Sequence, residues 1–192
     1  MNLLTVDHVT KVFTQRKIFE DASFYLQEQE KVGVIGINGT GKSTLLKMIA
    51  GMEEPDSGEV IYANQIVVHY LPQMPEFDPD ATVLESVLSY VSVGSVHKES
   101  NKDEHEMWNL ESSAKSMMTK LGIYDFDEKT GHLSGGQKKR LALVAVLLTP
   151  CDVLLLDEPT NHLDAEMAEW LENYLKNYRG AMIMVTHDRY FL

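Results

Sequence analysis

One cysteine in 192 residues, Cys151, has no partner for an internal disulfide and suits a reducing compartment. No run approaches the roughly 20 apolar residues that a membrane helix needs. The stretch Val153-Leu154-Leu155-Leu156 is stopped at once by Asp157 and Glu158. Met1-Asn2-Leu3-Leu4 shows no basic region followed by an apolar core, so no secretion signal is expected. Together these absences predict a cytoplasmic protein without membrane insertion. Positive charge is scarce as well, with 17 Lys and Arg against 29 Asp and Glu and a formal charge of −12. From Met48 to His97 there is no Lys or Arg, but eight Asp or Glu. That balance weighs against a nucleic-acid surface on the domain as a whole. A solvated acidic face and a surface made for one partner both fit it.

What is present is ordinary globular material, 44% apolar, in a length that fits one medium domain. Val32-Gly33-Val34-Ile35 reads as a short buried strand that stops at glycine. Ser43 to Ala50 has helical spacing and ends at Gly51, a plausible C-cap. Glu59–Tyr62 and Ile66–Tyr70 are β-rich runs around Ala63-Asn64-Gln65, which predicts a hairpin. Thr82–Ser92 and Met107–Leu121 read as amphipathic helices, with a polar exposed loop at His97–His105 between them. Helices are expected at Gln137–Leu148 and Ala165–Asn177, and buried strands at Asp152–Leu156 and Met182–Thr186. The result is an α/β core carrying a helical insertion between Gln73 and Leu133.

Three motifs carry chemistry. Gly36-Ile37-Asn38-Gly39-Thr40-Gly41-Lys42-Ser43 matches G-x-x-x-x-G-K-[ST] in full, between a strand and a helix. Its glycines let backbone wrap closely round phosphate oxygens, and the helix N-terminus aims N–H groups at them. Lys42 reaches β and γ phosphates in such a loop, and the Ser43 hydroxyl holds Mg²⁺. Val153–Leu156 delivers Asp157 and Glu158 at a strand's C-terminal end, where open parallel sheets bind ligands. Asp157 is placed to contact Mg²⁺ directly or through water, leaving Glu158 to orient or deprotonate attacking water. Leu133-Ser134-Gly135-Gly136-Gln137 opens a helix with a hydroxyl and two glycines, a second anion-binding helix end. One γ-phosphate does not need two such ends from one molecule, which hints that this one serves a neighbour's nucleotide.

In order and setting, Gly36–Ser43, Leu133–Gln137 and Leu156-Asp157-Glu158-Pro159-Thr160 resemble the ATP-binding cassette (ABC) family over essentially the whole chain. The resemblance implies a P-loop NTPase cassette: a mainly parallel core sheet, a small antiparallel β subdomain and an inserted α-helical subdomain. One nucleotide-binding domain over 1–192 is then expected, its core at 1–73 and 149–192, its helical subdomain at about 82–148, and its C-terminus truncated. ATP-binding positions would be Phe13, Gly36, Asn38, Gly39, Gly41, Lys42, Ser43 and Thr44. Phe13 matches the aromatic that stacks on adenine, with Phe19 and Tyr25 as competitors, and Gln73 matches the Q-loop glutamine. Asn161-His162-Leu163-Asp164 looks like the D-loop, contributing Asp164, and His187 like the switch histidine. Catalysis would fall to Glu158, His187 and Gln73, and Mg²⁺ to Ser43, Gln73 and Asp157. Ser134, Gly135, Gly136 and Gln137 would close over the ATP of a second cassette, because the family's cassettes work in pairs.

Asp157–Asp164 and Thr186-His187-Asp188-Arg189-Tyr190-Phe191-Leu192 look like the ABC-F class, leaning to its Uup-like branch. That class implies a twin-cassette protein acting on the ribosome, of which this would be the first cassette. Only 59 residues separate Gln73 from Leu133, so a ribosome-touching arm there is expected to be reduced or absent. A transporter's ATPase subunit is the alternative. A non-catalytic ATP-gated module or DNA-maintenance cassette forms a third class, and Glu158 counts against the non-catalytic version.

Overall fold

The computed structural model describes residues 1–13, 16–94 and 104–186. In chain order these form β1 (Asn2–Phe13), β2 (Arg16–Gln27), β3 (Lys31–Val34), α1 (Lys42–Ile49), β4 (Ser57–Tyr62) and β5 (Val68–Leu71). There follow α2 (Val83–Gly94), α3 (Glu104–Lys120), a 3-10 turn at Thr130–His132 and α4 (Gly135–Leu148). The remaining elements are β6 (Val153–Asp157), α5 (Ala165–Lys176) and β7 (Ala181–Val185). Most of the loop expected at His97–His105 lies outside the described residues; Glu104 and His105 already belong to α3.

By contacts the chain divides into two compact units. The first comprises Met1–Tyr70, Cys151–Pro159 and Lys176–Leu192. It holds an antiparallel sheet of order β2-β1-β4 and a second sheet of order β3-β7-β6-β5, in which β3, β7 and β6 run parallel. One apolar cluster joins Leu4, Val6 and Leu26 of the first sheet, Leu46 and Ile49 of α1, and Leu155, Ile183 and Val185 of the second. Burying each such side chain stabilises the fold by roughly 1.5–3 kcal/mol. Leu154, Leu156, Met182 and Met184 occupy the alternate positions and are buried too, so β6 and β7 are covered on both faces.

Register places the chemistry. Val185 of β7 pairs with Val34 on one side and with Asp157 on the other. The glycine loop therefore leaves the sheet at the same carboxyl edge at which Asp157 ends β6. Two strand spacings, about 10 Å, lie between them.

Two expectations are corrected here. The runs around Ala63-Asn64-Gln65 make no hairpin: β4 pairs with β1, and β5 neighbours β6 in the other sheet. Gln65, at φ 62, turns the chain from one sheet toward the other. β-rich composition marked both strands, but twelve-residue β1 offered β4 a better partner than short β5 did. β3 is also not a fully buried strand; all four residues are half-buried, as suits the outermost strand of its sheet.

The second unit comprises Leu71–Pro150 and Thr160–Leu175. Thr82 and Glu85 start α2 with a reciprocal pair, Thr82 N–H donating to Glu85 Oε2 at 2.9 Å and Glu85 N–H to Thr82 Oγ1 at 3.2 Å. Val83, Val87 and Val91 then repeat at helical spacing on the buried face of α2. Helix α4 is buried at every position from Leu141 to Leu147 and packs with both α2 and α3. Tyr174 of α5 donates its hydroxyl to the Leu147 carbonyl at 3.2 Å.

Candidate nucleotide site

The loop Gly36–Ser43 has the backbone that its glycines allow. Gly39 and Gly41 sit at φ 77 and 95, in the left-handed region. At Gly41 a Cβ would lie 1.9 Å from Ile18 Cγ2 and 3.1 Å from the Phe19 ring, so β2 buttresses the loop from behind. Thr40 Oγ1 donates to the Ile37 carbonyl at 2.9 Å. Lys42 is 8% exposed, and its Nζ donates to the carbonyls of Gly36 and Ile37 at 2.8 and 2.9 Å. Two of its three ammonium protons thus brace the loop, and the third suits an anion. Gly41 is the N-cap of α1 with no side-chain capping bond, and no acidic residue occupies the first turn. The helix end that carries Ser43 and Thr44 is therefore suited to phosphate. Asn38 and Gly39 are exposed on the loop's crest.

Asp157 is fully buried at the end of β6, and its Oδ2 accepts a hydrogen bond from the Tyr70 hydroxyl at 3.3 Å. Burial, then the charge of Asp157 and its hydrogen bond, raise the Tyr70 phenol well above its ordinary range. Glu158 is half-buried and held at φ 49, with its N–H donating to Val185 O at 3.0 Å. A non-glycine residue in that region costs about 1–2 kcal/mol, a strain found at functional turns.

Mg²⁺ fits the chemistry of the donors. The Ser43 hydroxyl and Asp157 carboxylate, both in the first unit, are hard oxygens; Gln73 is exposed in the second unit, on the stretch after β5. Among the described residues no three His, Cys, Asp or Glu gather to enclose a metal.

The second unit carries Ser134–Gln137, His162 and Asp164. Ser134 is the N-cap of α4 in a capping box, accepting from Gln137 N–H at 3.3 Å while Gln137 Oε1 accepts from Ser134 N–H at 2.9 Å. The Ser134 hydroxyl also donates to Gln137 Oε1 at 2.8 Å. A Cβ on Gly135 would meet nothing within 4 Å; one on Gly136 would lie 3.3 Å from His162 Cβ. His162, like Glu158, has positive φ, at 69. Asp164 Oδ1 accepts from Met167 N–H at 2.9 Å and so caps α5. Phe13 closes β1 opposite Arg16, Phe19 packs against the core, and Tyr25 is 59% exposed. His187 lies outside the described residues. Sequence reasoning passed over Tyr70 and Ile18. Tyr70 stood in view three residues before Gln73, but nothing in the chain's order links it to Asp157.

The family profile described as ABC transporter matches residues 19–161. The chain belongs to the ATP-binding cassette family. Cassettes of this family are ATPases and generally use Mg²⁺ with ATP. YfmR of Bacillus subtilis (strain 168), an uncharacterized ABC transporter ATP-binding protein, is 40% identical over 218 residues, covering 100% of this chain and 35% of YfmR. The energy-dependent translational throttle protein EttA of Escherichia coli (strain K12) is 37% identical over 216 residues, covering 98% of this cassette and 39% of EttA. The resemblance to the ABC-F class is thus supported by relatives that carry the EttA name. Among solved structures, RNase-L Inhibitor superposes with a TM-score of 0.76 at 30% identity, covering 99% of this cassette and 35% of that chain. An ABC transporter cassette in its ADP conformation superposes with a TM-score of 0.71 at 23% identity, covering 100% of this chain and 83% of that one, which shows the P-loop cassette fold. The cassette spans little more than a third of the curated relatives it matches. No described helix is long and apolar enough to cross a membrane.

Proposed function

We propose that this chain is the ATP-hydrolysing first cassette of a cytoplasmic twin-cassette ABC-F protein that works on the ribosome. The observation that carries the hydrolytic part is register: the phosphate loop and the Asp157–Glu158 pair leave one sheet edge about two strands apart. Phe13 stacks on adenine. Gly36, Asn38, Gly39, Gly41 and Thr44 give backbone donors to the phosphates, and Lys42 adds its charge. Ser43, Asp157 and Gln73 would hold Mg²⁺, which would supply neutralisation of the phosphate charge. Glu158 takes a proton from the attacking water, and His187 contacts the γ-phosphate. Ser134, Gly135, Gly136 and Gln137, with Asp164, serve the nucleotide of a second cassette, so full activity needs the pair. The sequence division into a core at 1–73 and 149–192 and a helical part at about 82–148 belongs to the same reading.

The ribosomal part rests on the relatives named EttA. The YfmR alignment runs to 218 positions against 192 here, so that relative carries extra residues within the shared span, in keeping with a reduced arm. A transporter ATPase subunit is the second reading, because YfmR is described as an ABC transporter ATP-binding protein. Ribosome pelleting separates them. Glu158→Gln keeps the side chain's shape and removes the base, so the intact variant should hold ATP and sediment with ribosomes only when ATP is present. ATP binding without co-sedimentation at physiological salt would move the assignment to a transporter partner.

A further inference from the structure

Tyr70 has no part in the reading above, yet its hydroxyl meets the most buried carboxylate of the site. Asp157 is fully buried, and Tyr70 reaches its Oδ2 at 3.3 Å from β5, the neighbour of β6 in the sheet. The terminal torsion of a carboxylate is soft, so burial alone does not fix its plane. A hydrogen bond to one oxygen restrains it. A protonated phenol is a poor ligand for a hard cation but a good donor, which suits it to orient the carboxylate and not to replace it. Mg²⁺ demands near-ideal octahedral geometry, so a carboxylate free to swing binds it less well. Ligand-orienting hydrogen bonds of this kind carry about 10–100-fold in metal affinity.

We propose that Tyr70 is a positioning residue that sets the Asp157 carboxylate for Mg²⁺, tying the strand that leads into Gln73 to the metal side of the site. The inference rests on the nucleotide-site reading and extends it to a residue to which the sequence motifs assign no role. Tyr70→Phe removes one oxygen and keeps the ring. In the intact protein, binding of a fluorescent ATP analogue in EDTA should be unchanged. The Mg²⁺ concentration that half-restores tight, slowly released nucleotide should rise about 10-fold. In an Asp157→Asn background the same change should add nothing, because the tether would have lost its charged acceptor.

An unshifted Mg²⁺ dependence in Tyr70→Phe overturns the proposal. So does equal weakening with and without Mg²⁺ alongside a lower melting temperature, which marks general packing. An undiminished shift on top of Asp157→Asn overturns it too. Wild-type protein that binds no analogue in either condition defeats the nucleotide reading and this inference together. Wild-type binding that depends on Mg²⁺, with no change in Tyr70→Phe, defeats the tether alone.

Discussion

Gly39 and Gly41 both hold left-handed backbone, but they differ in what surrounds them. A Cβ on Gly39 at φ 77 meets open space, whereas one on Gly41 at φ 95 would lie 1.9 Å from Ile18 Cγ2. Gly39→Ala should therefore carry only the conformational cost, about 1 kcal/mol. Gly41→Ala adds a steric overlap that β2 must yield to, and should cost at least about 3 kcal/mol or displace the loop. Melting curves and ATP titrations of the two variants check this, and equal losses would mean that the β2 buttress is not rigid. Histidines supply a second residue-scale expectation. Burial lowers the pKa of His69, so the unfolded chain takes up a proton first as pH falls. Stability tied to His69 is thus full above about pH 6.5 and falls on acidification toward its folded pKa. His8 runs the other way: its hydrogen bond and charge contacts with Asp21, and then Asp7, raise its pKa. Its contribution is present in acid and lost as pH rises through the folded value. Between pH 7.5 and 5.5, His69→Gln should flatten the acid-side fall in Tm and His8→Gln should steepen it. Melts of both variants at the two pH values decide the signs.

Among the elements, α4 shows how Ser134–Gln137 is built into the fold. Ser134 caps it, and replacement by Ala should cost about 1 kcal/mol through the lost capping box. Its two glycines are not equivalent. Gly135 has open space where a Cβ would stand, while at Gly136 the His162 side chain lies 3.3 Å away. Gly136→Ala should therefore lower stability more than Gly135→Ala, and His162→Gly, which keeps the positive φ, should remove that difference. A thermal-melt comparison of the three single variants and the two doubles that combine His162→Gly with each glycine change reads this directly; strictly additive losses would refute it. Element by element, the sequence was legible where one local rule dominated. The phosphate loop opening α1 and the apolar run of β6 ending at two carboxylates needed no tertiary information. Strands β1 and β2 were missed because their alternation is broken. Register shifts fall between Val6 and Val9 and on either side of Lys11, and His8 sits at φ 49. Such bulges erase the period of two that marks a strand. The hairpin failed for another reason, since strand propensity does not name a partner. Tyr70 and Asp157 are 87 residues apart in the chain, a contact that no motif encodes.

For the molecule as a whole, the formal charge of −12 bears on how cassettes meet. Two copies of this chain would repel each other at low ionic strength, and salt would screen that repulsion beyond about 8–10 Å. A cassette joined to a different second cassette within one polypeptide does not face that barrier, because linkage sets a high effective concentration. The two readings of the protein therefore predict different kinetics. In a twin-cassette protein, ATP turnover per molecule should not depend on protein concentration. Copies altered by Lys42→Ala and by Ser134→Arg should then fail to rescue one another. If this cassette instead pairs with its own copy, turnover should rise with concentration and with moderate salt. Mixing the two inactive variants would then restore about a quarter of wild-type activity, since half the random pairs are mixed and each has one intact composite site. Steady-state ATPase assays across protein and salt concentration, with the mixing experiment, distinguish these outcomes. Rescue on mixing would overturn the intramolecular pairing proposed here while leaving the composite site intact.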